Sequence, residues 1–186
     1  DFLPDLDAIP EETARRAKFI YINYPNNPTG AVATKAFYEK LVAWAKTYEV
    51  GVVSDLAYGA LGYQGYENPS FLSTPGAKDV GIEFYTFSKT FNMAGWRLAF
   101  AAGNDQMIEA LNLIQDHLFV GIFPALQEAG IAALLDPKSE EAVAQLNATY
   151  DSRRDAFVQA AAKIGWQAFP SRGSFYAWMP IPEGYT

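Results

Sequence analysis

Short apolar runs alternate with longer amphipathic segments along this chain, which is typical of an α/β protein. The runs 18–23 and 51–55 are continuously apolar and end in polar residues, as buried strands of a parallel sheet do. Two further apolar strands are predicted at 80–87 and 97–102. The order of strands and intervening segments therefore predicts an open α/β sheet whose strands are buried.

Helices are predicted before, between and after these strands. The acidic opening of segment 5–16 suits a short helical turn. Thr34 and Asn104 can each cap a helix whose apolar residues recur at helical spacing. Pro124 suits the first turn of the next helix, because its missing N–H would have no partner there.

The last third of the chain predicts a long helix followed by a short strand. The long helix opens at Ser139 and is closed by Gly165. The apolar tail 173–179 is interpreted as another strand. We expect residues 1–110 to be part of a large domain. Residues 111–186 would then supply interdomain helices and the start of a smaller domain.

Composition and charge narrow the possible functions. The chain of 186 residues carries a net charge of −7, which argues against general nucleic-acid binding. It has no cysteine and one histidine, so we predict neither a disulfide framework nor a metal site. No apolar run approaches the roughly 20 residues of a membrane span. We therefore expect no membrane partner and a cytoplasmic location.

Polar side chains stand where the predicted strands end. In open α/β sheets, ligands bind beyond the carboxyl ends of the strands. Each polar residue alone fits a turn, a cap or ordinary packing, but their order along the chain favours a shared site. These residues are Asn27, Asp55, Tyr58, Thr86, Ser88 and Lys89, joined by Arg97 if the fourth strand runs antiparallel.

Lys89 carries the most reactive of these groups. A lysine at the end of a buried strand is badly placed for solubility, but an amine shielded from water is well placed to act as a nucleophile. The alternative for this residue alone is a lysine whose apolar stem is covered while its charge reaches solvent.

Two motifs show a family resemblance. With Tyr24–Gly30 and Ser88–Arg97, the chain resembles the pyridoxal-phosphate-dependent aminotransferases of the aspartate aminotransferase fold, fold type I. Within them it is similar to the class I/II branch of LL-diaminopimelate, alanine and aromatic aminotransferases. The resemblance implies a three-layer α/β/α fold with an open, mostly parallel sheet. This sheet would be part of the large cofactor-binding domain, with a long helix leading into a partial small α+β domain.

The resemblance also implies a role for each site residue. Lys89 would form a Schiff base with pyridoxal 5'-phosphate, and Asp55 would pair with the pyridine nitrogen. Tyr58 and Asn27 would hold the phenolic oxygen of the cofactor. The phosphate would be held by Thr86, Ser88 and Arg97. The family often has serine where Thr86 stands, and the hydroxyl is kept.

The implied reaction moves an amino group from an L-amino acid to a 2-oxo acid. Family members draw on a second subunit, an N-terminal phosphate loop and a C-terminal arginine that binds the substrate carboxylate. Because the chain lacks the last two, we interpret it as an internal fragment of a homodimeric enzyme, inactive by itself. No sequence signal identifies the amino donor.

Two alternatives stay open. One is a carbon–sulfur β-lyase of the same fold, which would use the same lysine. The other is a non-catalytic, aminotransferase-like sensor domain of a transcription regulator. The chain lacks the Gly-x-Gly-x-x-Gly of a dinucleotide-binding fold and the glycines of a phosphate-binding Walker loop.

Overall fold

The computed structural model describes residues 2–185, which contain a four-stranded sheet of order β1-β2-β3-β4. Its strands are β1 (Phe19–Asn23), β2 (Gly51–Asp55), β3 (Gly81–Thr86) and β4 (Ala99–Gly103). The first three run parallel, and β4 pairs antiparallel with β3. The mostly parallel sheet is therefore confirmed, and the antiparallel fourth strand meets the condition under which Arg97 would join the other strand-end residues.

Helices connect and follow the strands, with short 3-10 turns at 6–8, 71–73 and 94–96. The α-helices are α1 (Glu11–Arg16), α2 (Lys35–Tyr48), α3 (Ala77–Val80), α4 (Phe87–Thr90), α5 (Asp105–Leu118), α6 (Pro124–Leu135) and α7 (Ser139–Lys163).

The predicted helix boundaries are confirmed by local hydrogen bonds. Thr34 Oγ1 accepts from the amide of Phe37 at 3.1 Å, which caps α2. Asn104 Oδ1 accepts from the amide of Met107 at 3.1 Å, which caps α5. Just after α7, Gly165 takes a φ of 74°, a left-handed conformation that glycine adopts without steric cost.

The main core lies between α2 and one face of the sheet. Leu41 and Ala45 on α2 and Val52 on β2 are 0% exposed, and Ile22 on β1 joins the same cluster. Full burial of a leucine, isoleucine or valine side chain contributes about 1.5–3 kcal/mol. This cluster explains why α2 packs along β1 and β2.

The opposite face of the sheet lies towards α5. Phe19 and Tyr21 alternate with the core residues of β1, so they point to the other face. There they line a groove of about 530 Å³ with Met107 of α5. The helices α2 and α5 thus form the outer layers of a three-layer α/β/α fold. The prediction that β1 is buried on both faces is wrong, because Phe19 is 51% and Tyr21 75% exposed.

A buried carboxylate fastens the loop before β3 to the sheet. Glu83 of β3 accepts hydrogen bonds from Ser54 Oγ at 2.9 Å, Ser70 Oγ at 2.5 Å and the amide of Phe71 at 2.8 Å. Three donors compensate for burying the charge. Since Ser54 directly precedes Asp55, this network also supports the end of β2.

The boundaries of three predicted strands need correction, and the strand predicted at 18–23 spans 19–23. The strand predicted at 80–87 spans 81–86, because Thr86 Oγ1 accepts from the amide of Ser88 at 3.1 Å and starts α4 at Phe87. The strand predicted at 97–102 begins only at Ala99, since Arg97 has a left-handed φ of 53°.

The predicted tail strand 173–179 is wrong. Only Gly173 makes a β-bridge, with Gly62 of the loop after β2. Ser174 then takes a φ of 61°, which ends the extended conformation. The tail docks instead, because the Tyr63 amide donates to the Arg172 carbonyl at 3.1 Å and the Ser174 amide donates to the Leu61 carbonyl at 3.2 Å.

Candidate active site

The carboxyl ends of the three parallel strands meet at one edge of the sheet. Asn23 lies opposite Asp55 in the register of β1 and β2, and Asp55 lies opposite Phe84 in that of β2 and β3. The antiparallel β4 starts at this edge, where Ala99 pairs with Thr86. The sheet therefore gathers the predicted strand-end residues on one rim.

Asn23 links the first two groups of this rim. Its Nδ2 donates to the backbone carbonyl of Asp55 at 3.0 Å, and its Oδ1 accepts from the backbone amide of Asn27 at 2.8 Å. One amide side chain thus holds the loop that carries Asn27 against the end of β2. Sequence analysis missed Asn23, although a polar residue that ends an apolar strand was the available signal.

Asp55 presents a carboxylate at the end of β2. The residue is exposed, and its Oδ1 accepts from the amide of Ala57 at 3.0 Å. Among residues 2–185, no group donates a hydrogen bond to Oδ2. The carboxylate can therefore receive a hydrogen bond from a cationic N–H.

Tyr58 is buried beside this carboxylate, with 4% of its surface exposed. Burial raises the pKa of Tyr58, and the Tyr176 hydroxyl and the Asp55 charge raise it further. A side-chain hydrogen bond with Asn27 lowers this pKa, but by less. The phenol is therefore protonated at neutral pH and can donate a hydrogen bond.

Lys89 extends from α4 towards a pair of aromatic rings that pack against each other. Its Nζ lies 5.9 Å from the ring centroid of Tyr58 and 5.8 Å from that of Phe175. Within the described part of the chain, no carboxylate forms an ion pair with this amine. The side chain is half-buried at the predicted rim, as a reactive amine requires.

Thr86 and Ser88 lie at the start of α4. The Thr86 hydroxyl accepts from the Ser88 amide at 3.1 Å and contacts the Leu98 carbonyl at 3.3 Å. Arg97 is exposed, and its Nη1 donates to the Ala94 carbonyl at 2.9 Å within its own turn. The structure thus brings Thr86 and Ser88 together, whereas the Arg97 guanidinium bonds to neither of them.

The tail supplies two site residues that sequence analysis missed. The hydroxyl of Tyr176 lies 3.1 Å from that of Tyr58. Phe175 packs edge to face against Tyr58, so both rings lie on the same side of the Lys89 amine. Both tail residues also line a neighbouring cavity of about 380 Å³. Arg154 lines it too, but its charge is engaged by Asp151 and Asp155.

Residues 2–185 contain no cluster of three or more histidine, cysteine, aspartate or glutamate side chains that could hold a metal ion. In the same residues, every helix is too short or too polar to cross a membrane.

Solved aminotransferase structures superpose closely on this fold. The substrate-bound structure of BacF from Bacillus subtilis has a TM-score of 0.95 and 46% identity, covering 100% of this chain and 47% of that one. An aspartate aminotransferase double mutant from Thermus thermophilus has a TM-score of 0.88 and 30% identity, covering 96% of this chain and 46% of that one.

Curated relatives agree with this likeness. The chain is 55% identical over 185 residues to "L-glutamine--4-(methylsulfanyl)-2-oxobutanoate aminotransferase" of Bacillus subtilis (strain 168), covering 100% of this chain and 46% of that protein. It is 50% identical to "LL-diaminopimelate aminotransferase" of Moorella thermoacetica, covering 100% of this chain and 47% of that protein. The chain thus spans about half the length of these relatives. The family model "Aminotransferase class I and II" matches residues 1–184, so this chain belongs to the class I and II aminotransferases.

Proposed function

We propose that the protein carrying this chain is a pyridoxal-phosphate-dependent aminotransferase, which transfers the amino group of an L-amino acid to a 2-oxo acid. The observation that carries the proposal is the placement of Lys89. Its amine lies 5.9 Å from the ring centroid of Tyr58 and 5.8 Å from that of Phe175, at the sheet edge where Asp55 presents its carboxylate. Family membership gives this arrangement its chemical meaning.

The donor set fits the cofactor group by group. The Lys89 amine, which has no carboxylate partner among the described residues, suits the aldehyde. The Oδ2 of Asp55 suits the N–H of a protonated pyridine ring, and the protonated phenol of Tyr58 suits the phenolic oxygen, together with Asn27. The hydroxyls and guanidinium that suit the phosphate are Thr86, Ser88 and Arg97.

Each side chain of this site then has its own role in the reaction. Pyridoxal phosphate, when bound, supplies an electron sink for the bond broken at the substrate α-carbon. Asp55 holds a proton on the ring nitrogen, because a negative charge favours the protonated ring. The Lys89 amine would move the proton of the substrate α-carbon to the aldehyde carbon of the cofactor. Tyr58 would donate a hydrogen bond to the phenolic oxygen of the cofactor and hold that oxygen in place.

We also infer properties of the whole protein. Residues 1–110 form part of a large domain, and 111–186 contribute interdomain helices and the start of a small domain. The protein is a cytoplasmic homodimer. Light scattering of the full-length protein tests the assembly, and a monomer at working concentration would contradict it.

The function is tested on the full-length holoenzyme with a panel of L-amino acids and 2-oxo acid acceptors. The names of the relatives make glutamine, LL-diaminopimelate and 4-(methylsulfanyl)-2-oxobutanoate sensible members of the panel. We expect new amino acid and new 2-oxo acid in equal amounts, and only when both substrates are present. The variant Lys89→Ala is the control.

Two outcomes would replace the proposal. Release of a thiol, ammonia and a 2-oxo acid from a sulfur amino acid without an acceptor would favour the β-lyase. Substrate binding with no turnover by any pair would favour the non-catalytic sensor.

A further inference from the structure

The hydroxyl groups of Tyr58 and Tyr176 lie 3.1 Å apart, although the residues are 118 positions apart in the chain. We propose that Tyr176 is a positioning residue. By donating a hydrogen bond to the Tyr58 oxygen, it directs the O–H of Tyr58 towards the cofactor. The proposal rests on the proposed function, in which Tyr58 donates to the phenolic oxygen of the cofactor.

The surroundings of Tyr58 limit how its hydroxyl can turn. Its ring packs edge to face against Phe175, with centroids 5.3 Å apart, and against Tyr176, with centroids 5.7 Å apart. With 4% of the residue exposed, the side chain is enclosed by these neighbours. Within residues 2–185, the Tyr58 hydroxyl has the Tyr176 hydroxyl as its hydrogen-bond partner, and the Asn27 side chain lies close enough to lower its pKa.

The number of protons available then decides which tyrosine donates and which accepts. A phenol has one proton to donate and also accepts. Without the cofactor, Tyr58 can donate to Tyr176, and such a bond raises the pKa of Tyr58. If Tyr58 donates to the cofactor oxygen instead, its proton is used there, and the 3.1 Å contact requires Tyr176 to become the donor. A hydrogen bond accepted by Tyr58 polarises its O–H and strengthens the bond that it donates. Tyr176 thus acts on the cofactor through Tyr58.

The backbone around Tyr176 is held firmly enough for this role. The Ser174 amide donates to the Leu61 carbonyl at 3.2 Å, and Gly173 bridges to Gly62. A methyl group on Gly173 would lie 2.6 Å from Pro25, so the tail also packs on the loop that carries Asn27. The tail therefore brings Tyr176 to Tyr58 as part of a docked segment.

A second tyrosine provides a matched control for simple docking. The Tyr63 hydroxyl donates to the carbonyl of Ser174, two residues before Tyr176 in the same tail. Tyr63→Phe removes a hydroxyl between the same loop and the same tail but leaves the hydroxyl pair intact. If Tyr176 only docks the tail, Tyr63→Phe and Tyr176→Phe will behave alike.

The experiment follows the visible absorbance of the cofactor in the full-length holoenzyme as a function of pH. A hydrogen bond donated to the phenolic oxygen favours its ionised form. A weaker donor therefore raises the pH at the midpoint of the absorbance change. We expect Tyr58→Phe to raise the midpoint by about one pH unit and Tyr176→Phe by about half a unit. Tyr63→Phe should leave it in place.

A double variant completes the test. Because Tyr176 acts through Tyr58, adding Tyr176→Phe to Tyr58→Phe should shift the midpoint no further. A cofactor spectrum whose midpoint moves equally in Tyr63→Phe and Tyr176→Phe, or in neither, would overturn this inference alone. A full-length protein that binds no pyridoxal phosphate would overturn the proposed function as well.

Discussion

The first hundred residues and the last eighty are built differently. Residues 2–104 contain the four-stranded sheet and the whole main core cluster, including Leu41, Val52 and Phe71 at 0% exposure. In the later half, α5 has no buried residue, α6 has only Gly130 and α7 only Ala161. The later half is nonetheless rich in apolar side chains, such as Leu135 at 76% exposure.

This difference shows which part of the molecule can hold chemical groups rigidly. Asp55, Tyr58 and Lys89 all belong to the half with its own core. The later half reaches them through docking contacts, such as the bond from Asn147 Nδ2 to the Ala60 carbonyl at 2.7 Å. It adds Tyr176 to the site as a supporting group. We therefore expect chemistry to depend on the first half and fine adjustment on the second.

The largest expected effect tests whether residues 1–186 are sufficient for transamination. A polypeptide of residues 1–186 should not transaminate, since the late arginines are already engaged: Arg154 pairs with Asp151, and Arg153 and Arg172 lie over tyrosine rings. Misplacing a substrate by about 1 Å costs roughly 100-fold, so a substrate carboxylate that finds no free arginine should react at least that much more slowly. Amino-acid analysis after incubation with substrates and cofactor measures this. Turnover near the full-length rate would contradict the expectation.

The next effect is a loss of turnover that we expect for Lys89 but not for a surface lysine. Lys89→Ala in the full-length enzyme should lower turnover at least about 1,000-fold, because one group both binds the cofactor and transfers the proton. Borohydride reduction of the unsubstituted holoenzyme should attach the cofactor to the peptide containing Lys89. Lys163→Ala, on the exposed end of α7, is the matched control and should keep normal turnover. Cofactor attached to a different lysine would refute the assignment.

Stability measurements sharpen the contrast between the halves. Phe71 is 0% exposed and Phe157 43% exposed. Phe71→Ala should lower the free energy of unfolding by about 3–5 kcal/mol through the cavity it leaves. Phe157→Ala removes a partly exposed ring and should cost under about 1 kcal/mol. Urea unfolding followed by circular dichroism compares them, and equal losses would show that the later half is packed as tightly as the first.

The smallest of these effects concerns the carboxylate at the end of β2. Asp55→Ala should lower turnover about 100-fold while most of the cofactor stays bound. A charge on the ring nitrogen matters most as negative charge develops during the reaction. Steady-state kinetics and cofactor content of the purified variant measure the two quantities. Asp79→Ala, which removes a surface partner of Lys46, is the control, and near-normal turnover in Asp55→Ala would refute the role.

Much of this protein was determined by its sequence alone. The caps at Thr34 and Asn104 and the glycine after α7 were predictable because each acts within a few residues of its own position. The strand-end residues were predictable from the order of strands, since parallel strands bring their carboxyl ends to one edge. Their individual roles at the cofactor stay predictions.

Only the tertiary structure decided what covers each apolar surface. The apolar segment 173–179 predicts a strand, yet docking onto the loop after β2 and the left-handed Ser174 end it after a single bridge. The apolar run of β1 predicts burial on both faces, yet Tyr21 is largely exposed. The contact between Tyr58 and Tyr176 has no local signal at all. The pattern of apolar residues shows which side chains favour burial. Which segment covers them depends on contacts between distant parts of the chain.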